Sequence, residues 1–280
     1  MPLLRRTLHL VSDSTGETVL AAVTAAASQY PALQPETRLH PFVRNMTAVE
    51  TALSAMADSP GAVFYTVADS RIRQALREGI ARLGLPACDV LAPVFDLLGS
   101  IGVGEPAERP GRQYRVDRSY LDRVAAIEFA IAQDDGIAPD RLMAADVILI
   151  GVSRTSKTPT CIYLGYQGIR AANLPLVPGA EPPPALMAAR EAGVPVIGLT
   201  ASPQRLAQIR QQRLNGLDTR AAPDYADLDR IREEVTEARM FFERHAIPVI
   251  DVTRRSIEET AAQIRQMIAR RTPAARGPHS

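Results

Sequence analysis

The sequence predicts an α/β protein in which parallel strands alternate with helices, and three observations carry that expectation. Short apolar runs rich in β-branched residues, such as Val147-Ile148-Leu149-Ile150, have the length and composition of strands buried on both faces. Longer amphipathic segments separate these runs, the alternation that builds parallel sheets from βαβ units. One strand-to-helix junction also carries a phosphate-binding pattern: Gly151-Val152-Ser153-Arg154-Thr155-Ser156-Lys157-Thr158 has the spacing G-x4-G-K-[ST], with Ser156 where the second glycine normally stands. The expected architecture is an N-terminal parallel βα layer over residues 1–104, a P-loop kinase-like domain over 113–270 and a disordered tail over 271–280.

Taken in order, Thr7 to Val11 reads as the first strand, followed by the polar turn Ser12-Asp13-Ser14-Thr15-Gly16 and a helix from Glu17 towards Gln29. Several N–H and O–H donors converge in that turn, which makes it a candidate second phosphate or target-docking site, facing the phosphate loop across a domain cleft. A turn whose Ser and Thr cap the helix explains the same composition. His9 reads as packed within its strand. Leu39 to Val43 is expected as a strand, Met46 to Met56 as a helix, Ala62 to Val67 as a strand, Ser70 to Leu83 as a helix and Asp89 to Leu91 as a strand. The stretch from Gly102 to Arg112 is broken by glycines and prolines and reads as a linker near the domain boundary.

Tyr120 to Gln133 follows as an amphipathic helix with Leu121, Val124, Ile127, Phe129 and Ile131 on its expected buried side, closed by Asp134-Asp135-Gly136. That acidic pair is either a glycine-closed turn or a general base or metal ligand beside the phosphate loop. Beyond the loop, Leu174 to Val177 and Val194 to Leu199 read as strands, then comes a helix carrying Arg205, Arg210 and Arg213, as a solvated face or as a lid over a nucleotide. Asp224 to His245 reads as a long helix, Ile247 to Asp251 as a strand whose terminal acid resembles a Walker B aspartate, and Ser256 to Ala269 as the last helix.

Composition narrows the function classes. A net charge of +1 and the lack of aromatic platforms among basic residues argue against a nucleic-acid partner. The 2 cysteines, Cys88 and Cys161, lie far apart without metal-ligand spacing, so neither a disulfide framework nor a zinc site is expected, and a reducing cytoplasm is the expected compartment. No apolar run reaches membrane-spanning length. Of 32 Lys and Arg residues, Lys157 alone is lysine, at the position where a compact ammonium reaches between phosphate oxygens. Thr158 would offer its hydroxyl to Mg²⁺, and Pro159 fits a first helical turn, where its missing N–H is not needed.

The chain resembles the bacterial and plant family of pyruvate, phosphate dikinase regulatory proteins, whose close relatives regulate phosphoenolpyruvate synthase. The resemblance rests on HLVSDSTGET from His9 to Thr18, AIEFAIAQDDG from Ala126 to Gly136, ILIGVSRTSKTPT from Ile148 to Thr160, GIRAANLPLVP from Gly168 to Pro178, GLTASPQRLAQIR from Gly198 to Arg210 and IPVIDVTRRSIEETA from Ile247 to Ala261. It implies a bifunctional serine/threonine kinase and phosphorylase. One activity uses ADP to phosphorylate a threonine of the target, and the other removes that phosphate with inorganic phosphate, giving pyrophosphate. On the resemblance, serine at position 156 favours the dikinase over the synthase as target. It also places nucleotide binding on Gly151 through Thr158, with Lys157 and Asp135 as catalytic candidates. A homodimer, a small-molecule P-loop kinase and a non-catalytic nucleotide-sensing module stay open.

Overall fold

The computed structural model describes residues 3–112, 118–134, 139–216 and 225–271. The chain divides into two compact units, 1–115 and 116–280, each built on its own four-stranded parallel sheet. In the first unit the strands are β1 (Leu4–Ser12), β2 (Leu33–His40), β3 (Ala62–Thr66) and β4 (Ala87–Asp89), arranged in the order β2-β1-β3-β4. Helices α1 (Glu17–Ala27), α2 (Met46–Asp58), α3 (Ser70–Arg82) and α4 (Ala92–Ser100) connect and follow them. Alternate faces of β1 feed two cores. Val11 packs with Val49, Met56, Ile72 and Leu76 of α2 and α3, whereas Leu8 and Leu10 pack with Val19 and Val23 of α1. Side chains cap two of these helices: Asn45 accepts from Ala48 N–H, and Asp69 accepts from Arg71 and Ile72 N–H.

The second unit repeats the plan. Its strands β5 (Val147–Gly151), β6 (Ala171–Pro175), β7 (Val196–Thr200) and β8 (Val249–Asp251) lie in the order β6-β5-β7-β8, again with the first strand between the second and third. Its helices are α5 (Arg118–Ala132), α6 (Lys157–Tyr166), α7 (Pro184–Glu191), α8 (Pro203–Gly216), α9 (Leu228–Arg244) and α10 (Ile257–Arg271), with a 3₁₀ segment at Pro139–Ala144. Ile148 and Ile150 face a core completed by Leu186, Leu206, Ile231 and Phe242, while Val147 and Leu149 face one completed by Ala130, Leu164 and Ile264. Every residue of β5 and β7 is buried, which explains their continuous apolar sequences. In a parallel sheet of this order, ligands collect at the carboxyl ends of the strands, where the connections diverge from the first strand.

Several expected elements shift. The second strand is Leu33–His40 rather than Leu39 to Val43. It is the edge strand, its side chains are mostly exposed, and so it carries neither an apolar alternation nor a bar against Pro35. The fourth strand ends at Asp89, whose carboxylate accepts from Leu91 and Ala92 N–H and starts α4, a helix the sequence did not suggest. Strand β6 begins at Ala171 instead of Leu174, because small buried residues pair with Val147 and Ile148.

In α5 the buried face is Ala126 and Ala130, continued by Gln133 just past its end, while Leu121 and Ile131 are exposed. Close packing selects small residues here: a Cβ on Gly165 of α6 would lie 3.0 Å from Ile127 Cα. Helix α9 begins at Leu228, capped by Asp227; its expected start at Asp224, the turn from Asp135 to Gly136 and the tail at 272–280 lie outside the described residues. Among the described residues, no helix is long and apolar enough to cross a membrane.

Candidate functional site

The loop expected to bind phosphate leaves β5 at Gly151, where only glycine fits: a Cβ would stand 2.3 Å from the Leu199 carbonyl oxygen of the neighbouring β7. The backbone then turns through two residues with positive φ, Arg154 at 74° and Ser156 at 58°. Ser156 therefore takes the left-handed conformation that glycine supplies in the standard pattern, at an intrinsic cost that glycine avoids. Buried Thr155 donates its hydroxyl to Val152 O at 3.0 Å, and Lys157 Nζ donates to the same carbonyl at 3.0 Å. Lys157 is only 6% exposed, so its ammonium stays inside the loop. Helix α6 starts at Lys157 with no side-chain cap from Ser156, which leaves its first-turn N–H groups facing the loop interior without a side-chain competitor for an anion.

Behind the loop, Thr158 Oγ1 donates to Asp134 Oδ1 at 2.8 Å, and Asn173 Nδ2 donates to the same oxygen at 2.5 Å and to Thr158 Oγ1 at 3.0 Å. Asn173 is 1% exposed on β6, and its backbone N–H bonds Gln133 O, so α5, α6 and β6 meet at this carboxylate. The sequence singled out Asp135, which lies outside the described residues; its neighbour Asp134 is the acid in contact with the loop. Asn173 carried no signal beyond its place in a conspicuous motif.

Asp251, read from the sequence as resembling a Walker B aspartate, ends β8. Strand β7 separates β8 from β5, and Asp251 Oδ1 accepts from Thr253 N–H and Oγ1, closing the turn after β8.

Arg210 departs from both expected roles. It is 1% exposed and binds Glu234 through two bonds of 3.1 and 2.6 Å, and it also donates to Ser153 O and Tyr225 O. Its guanidinium lies over the Tyr225 ring, whose hydroxyl contacts Ser153 Oγ and accepts from Arg154 Nε at 3.0 Å. Burial opposes ionisation of the Tyr225 phenol, but the bonds to Ser153 and Arg154 and the charges of Arg154 and Arg210 outweigh it and lower its pKa. A buried arginine in α8 thus holds the phosphate-loop backbone in place. Arg205 and Arg213 of the same helix are exposed. Burial drives the Cys161 thiol far above its ordinary pKa, with the Asp134 charge adding to the effect, so it acts as core.

In the first unit, Ser12, Asp13, Ser14 and Gly16 of the turn after β1 are buried, and the turn is cross-bonded to its neighbours. Ser12 Oγ accepts from Ser14 N–H and Thr66 Oγ1, Asp13 Oδ2 accepts from Ala68 N–H at 2.5 Å, and Arg44 Nε donates to Asp13 O. The N-cap of α1 is Gly16, left-handed at φ 87° and without a side-chain bond of its own. Burial raises the Asp13 carboxyl above its ordinary pKa despite the bond from Ala68. Ser12, Asp13, Ser14 and Gly16 line a cavity of about 510 Å³ that also receives Arg109 and Arg112.

The loop after the fifth strand thus has a buried lysine and two left-handed residues within the G-x4-G-K-[ST] spacing. A family model described as Kinase/pyrophosphorylase matches residues 8–265, and the chain belongs to that family of phosphotransferase-type enzymes. A protein of Caulobacter vibrioides, provisionally named pyruvate, phosphate dikinase regulatory protein, is 44% identical over 262 residues, covering 94% of this chain and 82% of its own. Proteins with the same provisional name from Bartonella bacilliformis and Erythrobacter litoralis are 44% and 45% identical, covering 94% and 92% of this chain and 93% and 92% of their own.

Proposed function

We propose that this chain regulates pyruvate, phosphate dikinase by phosphorylating one of its threonines with ADP, and reverses the modification with inorganic phosphate, releasing pyrophosphate. The observation that carries the reading is the loop from Gly151 to Thr158, with left-handed Ser156, buried Lys157 and an α6 N-terminus that Ser156 does not cap. Phosphoryl transfer needs positioning and neutralisation of charge more than covalent help from the protein. The loop N–H groups and Lys157 would hold the β-phosphate of ADP. Arg210, through Ser153 O and Tyr225, keeps the loop in the shape that binds it.

Mg²⁺ fits the donor set beside the loop. Thr158 and Asp134 supply hard oxygen ligands, and a nucleotide-bound Mg²⁺ needs only one or two from protein. It would neutralise charge on the diphosphate. Asn173 fixes the Asp134 carboxylate in place, and Asp134 in turn orients the Thr158 hydroxyl. Asp135 remains the proposed base for the threonine proton. The names of the relatives favour the dikinase as target, and the same chemistry on phosphoenolpyruvate synthase is the second reading.

Mass spectrometry of each purified target after incubation with this protein and ADP tests the proposal. A new phosphothreonine on the dikinase, removed on adding phosphate with formation of pyrophosphate, is the expected result. A modified synthase with an untouched dikinase would move the target. ADP binding with neither target modified would leave a nucleotide sensor.

A further inference from the structure

Beside the loop lies a cavity most of whose lining the reading above leaves unused. The connections after β5, β7 and β8 enclose a cavity of about 360 Å³ lined by Arg154, Arg205, Arg254, Arg255, Thr253 and Ser256. Four arginines line it, no Asp or Glu does, and among the described residues none of the four arginines forms an ion pair. The acids nearest in sequence are bonded at the cavity edge: Asp251 to the turn at Thr253, Glu258 to the Ser256 side chain, and Glu259 to the reciprocal cap with Ser256 that starts α10. Arg154 spends its Nε on Tyr225 and Arg255 one nitrogen on Gln263, which leaves their other guanidinium nitrogens for a ligand.

Like charges clustered without counter-charge are costly unless an anion neutralises them, and arginine's planar fork matches phosphate oxygens two at a time. The helix α8 begins at Pro203 and α10 at Ile257, both at the cavity wall, so their positive ends add to the field. The position is the crevice between the first and third strands of the sheet, where this strand order gathers ligands.

We propose that this arginine cavity binds a phosphate dianion other than the nucleotide's own, either orthophosphate or the phosphorylated threonine side chain. The inference rests on the proposed function and explains a need within it. In phosphorolysis, an oxygen of hydrogen phosphate forms a bond to the phosphorus of the threonyl phosphate as that phosphorus loses its bond to the threonine oxygen. The proton carried by hydrogen phosphate passes to that oxygen, and the products are threonine and pyrophosphate bearing all four negative charges. Two dianions must therefore meet. Lys157 and the loop N–H groups serve one phosphate, and the cavity sharing Arg154 and Ser156 with that loop serves the other.

The test uses the full chain with Arg205 and Arg254, both exposed and remote from the packed core, changed together to Gln, and a second variant with both changed to Lys. Calorimetry with inorganic phosphate alone reads the site without any target protein. Steady-state assays with ADP, with phosphate and with phosphorylated dikinase read it in turnover, and thermal unfolding checks the fold. The Gln variant is expected to weaken phosphate binding at least tenfold and to raise KM for phosphate at least tenfold while KM for ADP moves less than threefold. The Lys variant should recover part of both.

If KM for phosphorylated dikinase rises instead and that for phosphate does not, the dianion held is the phosphothreonine. Unchanged KM for both, or an equal rise in KM for ADP showing that the cavity belongs to the nucleotide, overturns the site. Arginine-dependent phosphate binding by a wild-type protein that modifies no target would sink the proposed function and leave the site standing.

Discussion

Replacing Ser156 with glycine should make the protein more stable and leave ADP binding intact. Ser156 sits at φ 58° and ψ 23°, makes no capping bond with its side chain, and is followed directly by Lys157. A left-handed backbone costs an L residue roughly 1–2 kcal/mol. Glycine removes that cost but returns about 0.5–1 kcal/mol through its freer unfolded chain. The net expectation is a gain of about 0.5–1 kcal/mol, which for a domain of this size raises Tm by roughly 1–4 °C. Thermal unfolding by circular dichroism and ADP titration by calorimetry measure the two halves. Ser156→Val supplies the contrast, since a β-branched residue fits the left-handed region worst, and it should lower Tm. A Ser156→Gly protein that melts earlier, or that folds normally but loses ADP, would refute the reasoning and assign the hydroxyl a chemical part.

Three further outcomes follow from the geometry. Gly151→Ala forces a methyl to 2.3 Å from Leu199 O and should destabilise by about 1–3 kcal/mol, read as a lower urea midpoint. Arg210→Met strands the Glu234 carboxylate and should cost about 3–5 kcal/mol, while the double change with Glu234→Met should recover most of it; a double variant as unstable as the single would show that the arginine acts through packing. His9, fully buried, places Nε2 2.8 Å from the Ser59 carbonyl oxygen, to which it donates, and Nδ1 3.0 Å from His40 Nε2. Burial, then the charges of His9 and Arg38, lower the His40 pKa. Its contribution to stability is thus present above about pH 6.5 and lost as pH falls through the lower folded value. His40→Gln should flatten the fall in urea midpoint between pH 7.5 and 5.

The elements legible in the sequence were those whose signal is local. Strand β5 is apolar because both faces are covered, and the loop after it is defined by spacing within eight residues. What failed to show depended on distant partners or on their absence. The edge strand β2 needs no apolar alternation, and α4 buries none of its residues, so neither left a periodic pattern. Ala126 and Ala130 form the buried face of α5 in place of larger neighbours because Gly165 brings α6 within reach, a fact about a helix some 40 residues away. Asp134 owes its place beside the loop to Thr158 and Asn173, 24 and 39 residues on. Arg210 looked like a surface residue because its compensating Glu234 lies on another helix.

The account's central claim is that the loop carrying Lys157 holds the phosphate that is transferred. Purified dikinase incubated with ADP labelled on its β-phosphate, and with either the wild-type chain or Lys157→Ala, tests this directly. The wild type should move label onto a threonine of the dikinase. The alanine variant, with wild-type Tm, should do so at least about a hundredfold more slowly, and Lys157→Arg should restore little because a planar fork cannot occupy the space of a compact ammonium. Label reaching the dikinase at the wild-type rate through the Lys157→Ala protein would contradict the claim.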